Sequence, residues 1–343
     1  MNTPLSFTKM HGLGNDFIVF DFTRQNYNTN DSHDYDQALA TVIKQISFLA
    51  DRKIGIGCDQ VLFIEHSDTP EADFKYQIFN ADGSTAGHCG NGARCVISYL
   101  YNHHKINKPS ITLSIHDRLI TGYKNVMGNN TKHEETEHKN TDDCANNKGN
   151  NNNNVISINM GIPQFNPESL PFLHKLNLDN AYQLHIQNQI ISFGIASVGN
   201  PHIMVELPDN QALDNTAELI NTARCLQNSA LFPEGINVNF YVILNRNTIK
   251  LRTFERGCGF TLACGTGATA TAAFAITKNL VGNLPVGGKS DKNFINIFPL
   301  GMDNHDINVE MQGGSLQLNQ NSRGEMIMTG PAIEVFSGQI ILS

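Results

Sequence analysis

Short apolar runs bounded by Gly, Asn or Pro recur along the chain and predict strands. FIVF (17–20), VLFIE (61–65) and KYQIF (75–79) come early; IMVEL (203–207), VNFYVIL (238–244) and IKLRTF (249–254) come late. Helix-compatible sequence follows at two places, ARCVISYLYNHH (93–104) and ATATAAFAITKNL (268–280). The second is apolar on every face apart from its threonines, which predicts a helix buried inside its domain. One stretch breaks the pattern. Residues 128–154, GNNTKHEETEHKNTDDCANNKGNNNNN, offer only Cys144 and Ala145 to a core, too little to offset the entropy of ordering them. The β-like flanks LITGYKNVM and VISINMG predict a disordered loop inserted between two strands rather than an interdomain linker. His133 and His138 within it are read as solvated, not as metal ligands.

The two halves carry the same ordered series of patterns. Phe79-Asn80 precedes Cys89-Gly90-Asn91-Gly92-Ala93, and Phe254-Glu255 precedes Cys264-Gly265-Thr266-Gly267-Ala268, in the shared frame F-[N/E]-x8-C-G-x-G-A. Upstream lie Gln60-Val61-x-Phe63 and Asn237-Val238-x-Phe240, and before those Gly14-Asn15 and Gly199-Asn200. Three matches in one order indicate internal duplication. Each frame places its cysteine at a strand-to-helix turn.

Composition narrows the function classes. A chain of 343 residues predicts two domains or one large two-lobed unit. Lys+Arg number 24 against Asp+Glu 32, a net charge of −8, which disfavours a protein held to nucleic acid by phosphate charge. No run reaches the roughly 18 apolar residues of a membrane span, and the N-terminus has no signal-type apolar stretch; the expectation is a cytoplasmic protein with no membrane partner. Seven cysteines without a C-x-x-C pair do not form a disulfide framework or a zinc site. In VGNLPVGGKS (281–290) the glycine spacing misses that of a phosphate-binding loop, so it is read as a plain loop.

A cysteine at a helix start is chemically useful. Unpaired N–H groups and the positive end of the helix dipole stabilise a thiolate and also bind a carboxylate. Gly90, Gly92, Gly265 and Gly267 leave room for a small anionic ligand to approach the backbone. If the halves face each other about a pseudo-two-fold axis, Cys89 and Cys264 meet across one ligand. One thiolate then removes a proton from one face of a carbon while the opposing thiol protonates the other, inverting a stereocentre with no metal and no cofactor. The barrier is the weak acidity of the carbon, so several N–H donors must converge on its carboxylate in a dry cavity.

KMHGLGNDFIVFD (9–21), GCDQ (57–60), FNADGSTAGHCGNGARC (79–95), GNPH (199–202), the NV-x-F starting at Asn237 and TFERGCGFTLACGTGATA (253–270) resemble diaminopimelate epimerase over nearly the whole chain. The resemblance implies an α+β fold of two pseudo-symmetric lobes, each a curved, barrel-like mixed sheet around a central helix, with the site in the cleft. Residues 1–163 with 331–343 would form one lobe and 164–330 the other. It implies a cofactor-independent enzyme that interconverts LL- and meso-2,6-diaminopimelate for lysine and peptidoglycan precursors, as a homodimer. Carried over by motif position, Cys89 and Cys264 are the acid/base pair, and His202 and Glu255 tune the thiols. Gly90, Asn91, Gly265 and Thr266 hold the reacting carboxylate through backbone N–H groups, and Asn80 and Glu255 hold its ammonium. Asn15, Gln60, Asn200, Asn237 and Arg256 take the distal head.

Some residues depart from the family. STAGH (84–88) replaces a segment that often carries an acid, the polar loop is unusual, and Phe336 stands where a tyrosine often packs the dimer. The remaining thiols are expected to be structural (Cys95, Cys225, Cys258), exposed (Cys144) or near the site (Cys58). Three other functions fit parts of the pattern: a two-cysteine racemase of proline or hydroxyproline, a duplicated binding module, and a thiol redox protein. The first has no need of Arg256 and several amides for a second amino-acid head. The second has no use for a thiol in both frames.

Overall fold

The computed structural model describes residues 4–24, 32–87, 89–124, 155–175, 179–186, 189–281 and 306–342. The polar loop at 128–154 and most of 281–290 therefore lie outside the described residues. Strands β1 (Leu5–Gly12) and β2 (Asn15–Asp21) come first, then helices α1 (Ser32–Lys44) and α2 (Ile46–Ala50) and strands β3 (Gln60–His66) and β4 (Phe74–Asn80). Helix α3 (Gly90–His103) leads to β5 (Ser110–Ile115), β6 (Arg118–Lys124) and β7 (Val155–Asn159). Next come β8 (Tyr182–Ile186), β9 (Gln189–Ser197), β10 (Pro201–Glu206), helices α4 (Asn210–Asp214) and α5 (Thr216–Gln227), and strands β11 (Asn237–Asn245), β12 (Thr248–Glu255) and β13 (Gly259–Phe260). Helix α6 (Gly265–Thr277) and strands β14 (Ile307–Met311), β15 (Gly314–Gln320), β16 (Met326–Pro331) and β17 (Ile333–Ile340) complete the chain. Every predicted strand and both predicted helices are present.

The architecture is mixed α/β with one large sheet. In the first half β1 pairs antiparallel with β2, β2 parallel with β3, β3 antiparallel with β4, β4 parallel with β5, and β5, β6 and β7 form an antiparallel meander. The second half repeats that series: β9–β10 antiparallel, β10–β11 parallel, β11–β12 antiparallel, β12–β14 parallel, then β14, β15 and β16 as a meander. The two ladders join through equivalent strands, β7 against β16, antiparallel with Met328 opposite Ile158. Strand β17 crosses back and pairs with β1, Leu5 opposite Ile340.

Burial explains why the helices lie where they do. Helix α3 packs against β1, β6 and β7, and α6 against β9, β15 and β16, so each helix touches both ends of its own ladder. From Gly90 to Tyr101 and from Gly265 to Ala275 nearly the whole surface of each helix is buried. The Ala-rich composition of α6 lets the surrounding strands approach closely. A Cβ on Gly194 of β9 would stand 2.1 Å from the Phe274 ring of α6, whereas Gly87 has open space around it.

We expect Gly194→Ala to lower stability by about 1–3 kcal/mol, the usual cost of overpacking. Gly87→Ala should change it by less than about 0.5 kcal/mol. Urea unfolding of the two variants would show the difference.

Candidate active site

Each of the two helices begins at a cysteine. Cys89 and Cys264 have extended backbone (φ −137° and −122°), and each sulfur accepts the N–H three residues on, from Gly92 and from Gly267, at 3.4 Å. Each cysteine carbonyl takes the next N–H, that of Ala93 or Ala268. That leaves the N–H groups of Gly90, Asn91, Gly265 and Thr266 without a carbonyl acceptor in their own helices, the ordinary state of a first turn. Both thiols are free.

The two helix starts come together. The Asn91 side chain donates to the carbonyl of Ala263, the residue just before Cys264, at 3.3 Å. A Cβ on Gly90 would meet the Met328 methyl at 2.6 Å, and one on Gly265 the Met328 sulfur at 3.0 Å and Asn91 Oδ1 at 3.3 Å. Glycine at both positions thus lets Met328 wedge between the two turns. Arg94, wholly buried, donates to Asn91 Oδ1 at 2.8 Å and to the Pro331 carbonyl at 3.3 Å, which fixes the Asn91 amide with its NH2 group toward Ala263.

Asn15, Glu255 and His202 with Asn200 lie at these turns. The Cys89 thiol donates to Asn15 Oδ1 at 3.6 Å, and Asn15 in turn donates to Asp59 Oδ2 at 3.1 Å. Gln60 and Asn80, opposite each other on β3 and β4, bond at 3.0 Å, and Asn80 also donates to Ser84 Oγ. In the second half Glu255 occupies the strand position corresponding to Asn80, one step beyond the Val238–Phe254 pair. Its carboxylate accepts from Thr261 Oγ1 at 2.5 Å and from the Cys264 thiol. His202 is wholly buried; its Nε2 lies 3.1 Å from Asn200 Oδ1 and 3.0 Å from Thr266 Oγ1, and Thr266 Oγ1 lies 3.4 Å from Cys264 Sγ.

Two residues placed at the distal head are already engaged. Asn237 Oδ1 accepts the backbone N–H of Arg256 at 3.0 Å while its NH2 group donates to the Pro201 carbonyl. The exposed Arg256 guanidinium rests on the Glu234 carbonyl. Both would need to give up or share these bonds to hold a ligand. The larger described groove, about 560 Å3, runs past Met160, Gln164, Ser197 and Gly199 and contains neither thiol. Among the described residues no three His, Cys, Asp or Glu side chains gather as a metal site. None of their helices is long and apolar enough to cross a membrane.

The electrostatics reverse one expectation. A helix N-terminus favours a thiolate, yet burial outweighs it: Cys89 is pushed up to about 11, against smaller lowering from the Gly92 N–H and the Arg94 charge. Cys264 is also raised well above its ordinary value, by burial first and the neighbouring Glu255 charge second. Burial also raises Glu255 above the usual carboxylate range, and it depresses His202 to about 3, leaving a neutral ring.

Reading the sequence for motifs missed Asn239, Thr253, Thr261 and Arg94. Asn239 carried a signal, an amide between Val238 and Phe240 in an otherwise apolar strand. Of the remaining cysteines, Cys95 is buried in the core and Cys58 in a neighbouring cluster, while Cys258 is exposed and within electrostatic reach of Glu255 and Asp59.

Comparison with known proteins decides the family. The model of the family described as "Diaminopimelate epimerase" matches residues 7–121 and 194–335. The chain belongs to the diaminopimelate epimerase family and is an isomerase. Diaminopimelate epimerases from strains of Acinetobacter baumannii are 34% identical over 339 residues, covering 98% of both chains. Among solved structures, a probable proline racemase from Agrobacterium radiobacter superposes with a TM-score of 0.62 at 15% identity, covering 99% of this chain and 93% of that one. A hydroxyproline epimerase from Agrobacterium vitis gives 0.60 at 13%, covering 98% and 92%. A PhzF-family protein from Bacillus anthracis gives 0.58 at 12%, covering 99% of each chain. These likenesses place the fold in one group with the PhzF and proline racemase proteins.

The raised thiols have a consequence for stability. In the folded protein they stay protonated at pH values where the unfolded chain ionises, so unfolding above about pH 9 releases protons and stability falls as pH rises. Each buried thiol contributes up to about 1.4 kcal/mol per pH unit until it titrates in the folded state. Urea unfolding of reduced protein between about pH 9 and 11 is expected to show this decline, less steeply in Cys89→Ala.

Proposed function

We propose that the protein interconverts LL- and meso-2,6-diaminopimelate by two-thiol proton transfer at one α-carbon, without a cofactor, in the supply of lysine and peptidoglycan precursors. The observation that carries this reading is the pair of thiol-capped helix N-termini brought together over Met328, each with first-turn N–H groups that have no carbonyl acceptor in their own helix. A carboxylate seated between them accepts from Gly90, Asn91, Gly265 and Thr266, while Asn80 and Glu255 accept from the ammonium. The sulfur in thiolate form takes the α-proton and becomes a thiol; the opposing thiol gives its proton to the other face and becomes the thiolate. Burial makes whichever sulfur is ionised a stronger base, which narrows its gap to the weakly acidic carbon. His202, through Thr266, and Glu255 act on Cys264, and Asn15 on Cys89.

At the distal head Asn15, Gln60, Asn200, Asn237 and Arg256 supply amides and a guanidinium for a second carboxylate and ammonium. The two ladders are read as two lobes, residues 1–163 with 331–343 and residues 164–330, each a barrel-like sheet around its helix with the substrate in the cleft between them. A cytoplasmic setting suits free thiols in both frames. The outer face of β17, with Val335 55% and Phe336 47% exposed beside Ile333 and Ile341, is an apolar patch suited to a second copy of the chain. Phe336 packs edge-on against Phe7 at 6.0 Å there.

Proton NMR of LL-diaminopimelate in D2O with reductant should show exchange of the α-proton together with the meso isomer. Cys89→Ala and Cys264→Ala should each lower turnover by about 10²–10⁴-fold. Exchange on proline instead, from folded and reduced protein, would refute the substrate assignment. Light scattering should find a dimer for the intact chain and a monomer for Phe336→Glu; a monomeric intact chain would count against the β17 interface.

A further inference from the structure

The two ladders share a register, so each position in one half has a counterpart in the other. Val61 opposite Phe79 corresponds to Val238 opposite Phe254, and Phe17 beside Gln60 corresponds to His202 beside Asn237. Leu62 then corresponds to Asn239, Ile78 to Thr253, and Asn91 to Thr266. The sites behind the two thiols are therefore unlike. Behind Cys89 stand Phe17, Leu62 and Ile78; behind Cys264 stand His202, Asn239 and Thr253, all three within the buried interior.

The polar set has a single consistent hydrogen-bond direction. The Asn239 NH2 group donates to the Ile203 carbonyl at 3.2 Å, and Asn239 Oδ1 accepts from Thr253 Oγ1 at 2.8 Å. Turning the amide over would set its oxygen against that carbonyl, so the NH2 end must also face His202 Nδ1, at 3.0 Å. Nδ1 is then the acceptor, and the neutral ring carries its proton on Nε2. That proton goes to Asn200 Oδ1 and Thr266 Oγ1. A hydroxyl oxygen that accepts there is free to send its own proton to Cys264 Sγ at 3.4 Å.

We propose that Asn239 and Thr253 are positioning residues that hold His202 as the Nε2–H tautomer, and so aim the Thr266 hydroxyl at Cys264 as that sulfur becomes a thiolate. The proposal rests on the two-thiol reading above. With the other tautomer a bare Nε2 takes the Thr266 proton, and the Cys264 thiolate loses a donor. Thr253, Asn239, His202 and Thr266 are each at most 4% exposed, so water does not substitute for a missing link. Among the described residues the equivalent positions of the first half, Phe17, Leu62 and Ile78, are apolar and form no such relay; Asn15 and Arg94 are among the polar groups near that thiol. The duplication has thus kept a thiol in each half and, among the described residues, set a polar chain behind Cys264 where apolar side chains stand behind Cys89.

The test is long-range 1H–15N correlation NMR on the full, reduced, ligand-free chain labelled with 15N-histidine, in which the Nε2–H, Nδ1–H and imidazolium forms give different patterns. The His202 signal is the one missing from His202→Asn. We expect the Nε2–H pattern in the intact protein. Asn239→Asp, nearly the same shape, offers Nδ1 an acceptor in place of a donor. It should convert His202 to Nδ1–H or imidazolium and lower kcat by about tenfold or more, with KM changed less than about threefold. An intact protein with His202 as Nδ1–H or imidazolium overturns the proposal even if the variant fails to fold, and so does a switched tautomer with unchanged kcat. The spectrum needs no substrate: an Nε2–H signal in a chain that does not turn over diaminopimelate would uphold the relay and sink the substrate reading.

Discussion

A sulfur that caps a helix ties the rest of the structure together. Cys89 and Cys264 each accept the N–H of the third helical residue, which holds the thiol at the one place where a helix has spare donors. The thiol and the N–H groups of the first turn are then adjacent by construction. Everything else in the fold serves to bring two such helix starts to the same point. Small residues make that approach feasible, because Gly90 and Gly265 yield their side-chain space to Met328.

The sheet supplies the symmetry. Equivalent strands β7 and β16 pair antiparallel, the arrangement expected when two copies of one unit are related by a two-fold axis. Since each helix packs on both ends of its own ladder, turning one ladder over onto the other turns its helix too, and the helix starts meet. The return of β17 to β1 makes the end of the chain part of the first ladder. Strand β17, Ile333–Ile340, is therefore linked to the stability of the Cys89 half although it lies far from it in sequence.

Symmetry of backbone coexists with asymmetry of side chains. Four equivalent positions carry Asn80 and Glu255, Asn91 and Thr266, Phe17 and His202, and Leu62 and Asn239. Equal frameworks thus carry different chemistry: an amide and a guanidinium lie near Cys89, a carboxylate and a neutral imidazole near Cys264. Burial then sets the scale, raising both thiols above their ordinary range. Burial disfavours the ionised form of each sulfur, and the N–H group that each accepts works in the opposite direction.

Local pattern was enough for much of this. Apolar runs bounded by Gly, Asn and Pro located the strands, because a half-buried strand has a short period and needs breakers at its ends. The repeated C-G-x-G-A frame located both thiols at helix starts, because glycine and a capping side chain are local requirements. Register and burial were not legible. That Asn239 faces His202, that Arg94 is enclosed with Asn91, and that Asn237 and Arg256 are engaged with backbone depend on which strands pair and which faces turn inward. Those are long-range choices, made by the whole hydrophobic core together. The thiol pKa values belong to the same class: the sequence showed the helix dipole that lowers them, and only the packed tertiary structure revealed the desolvation that outweighs it.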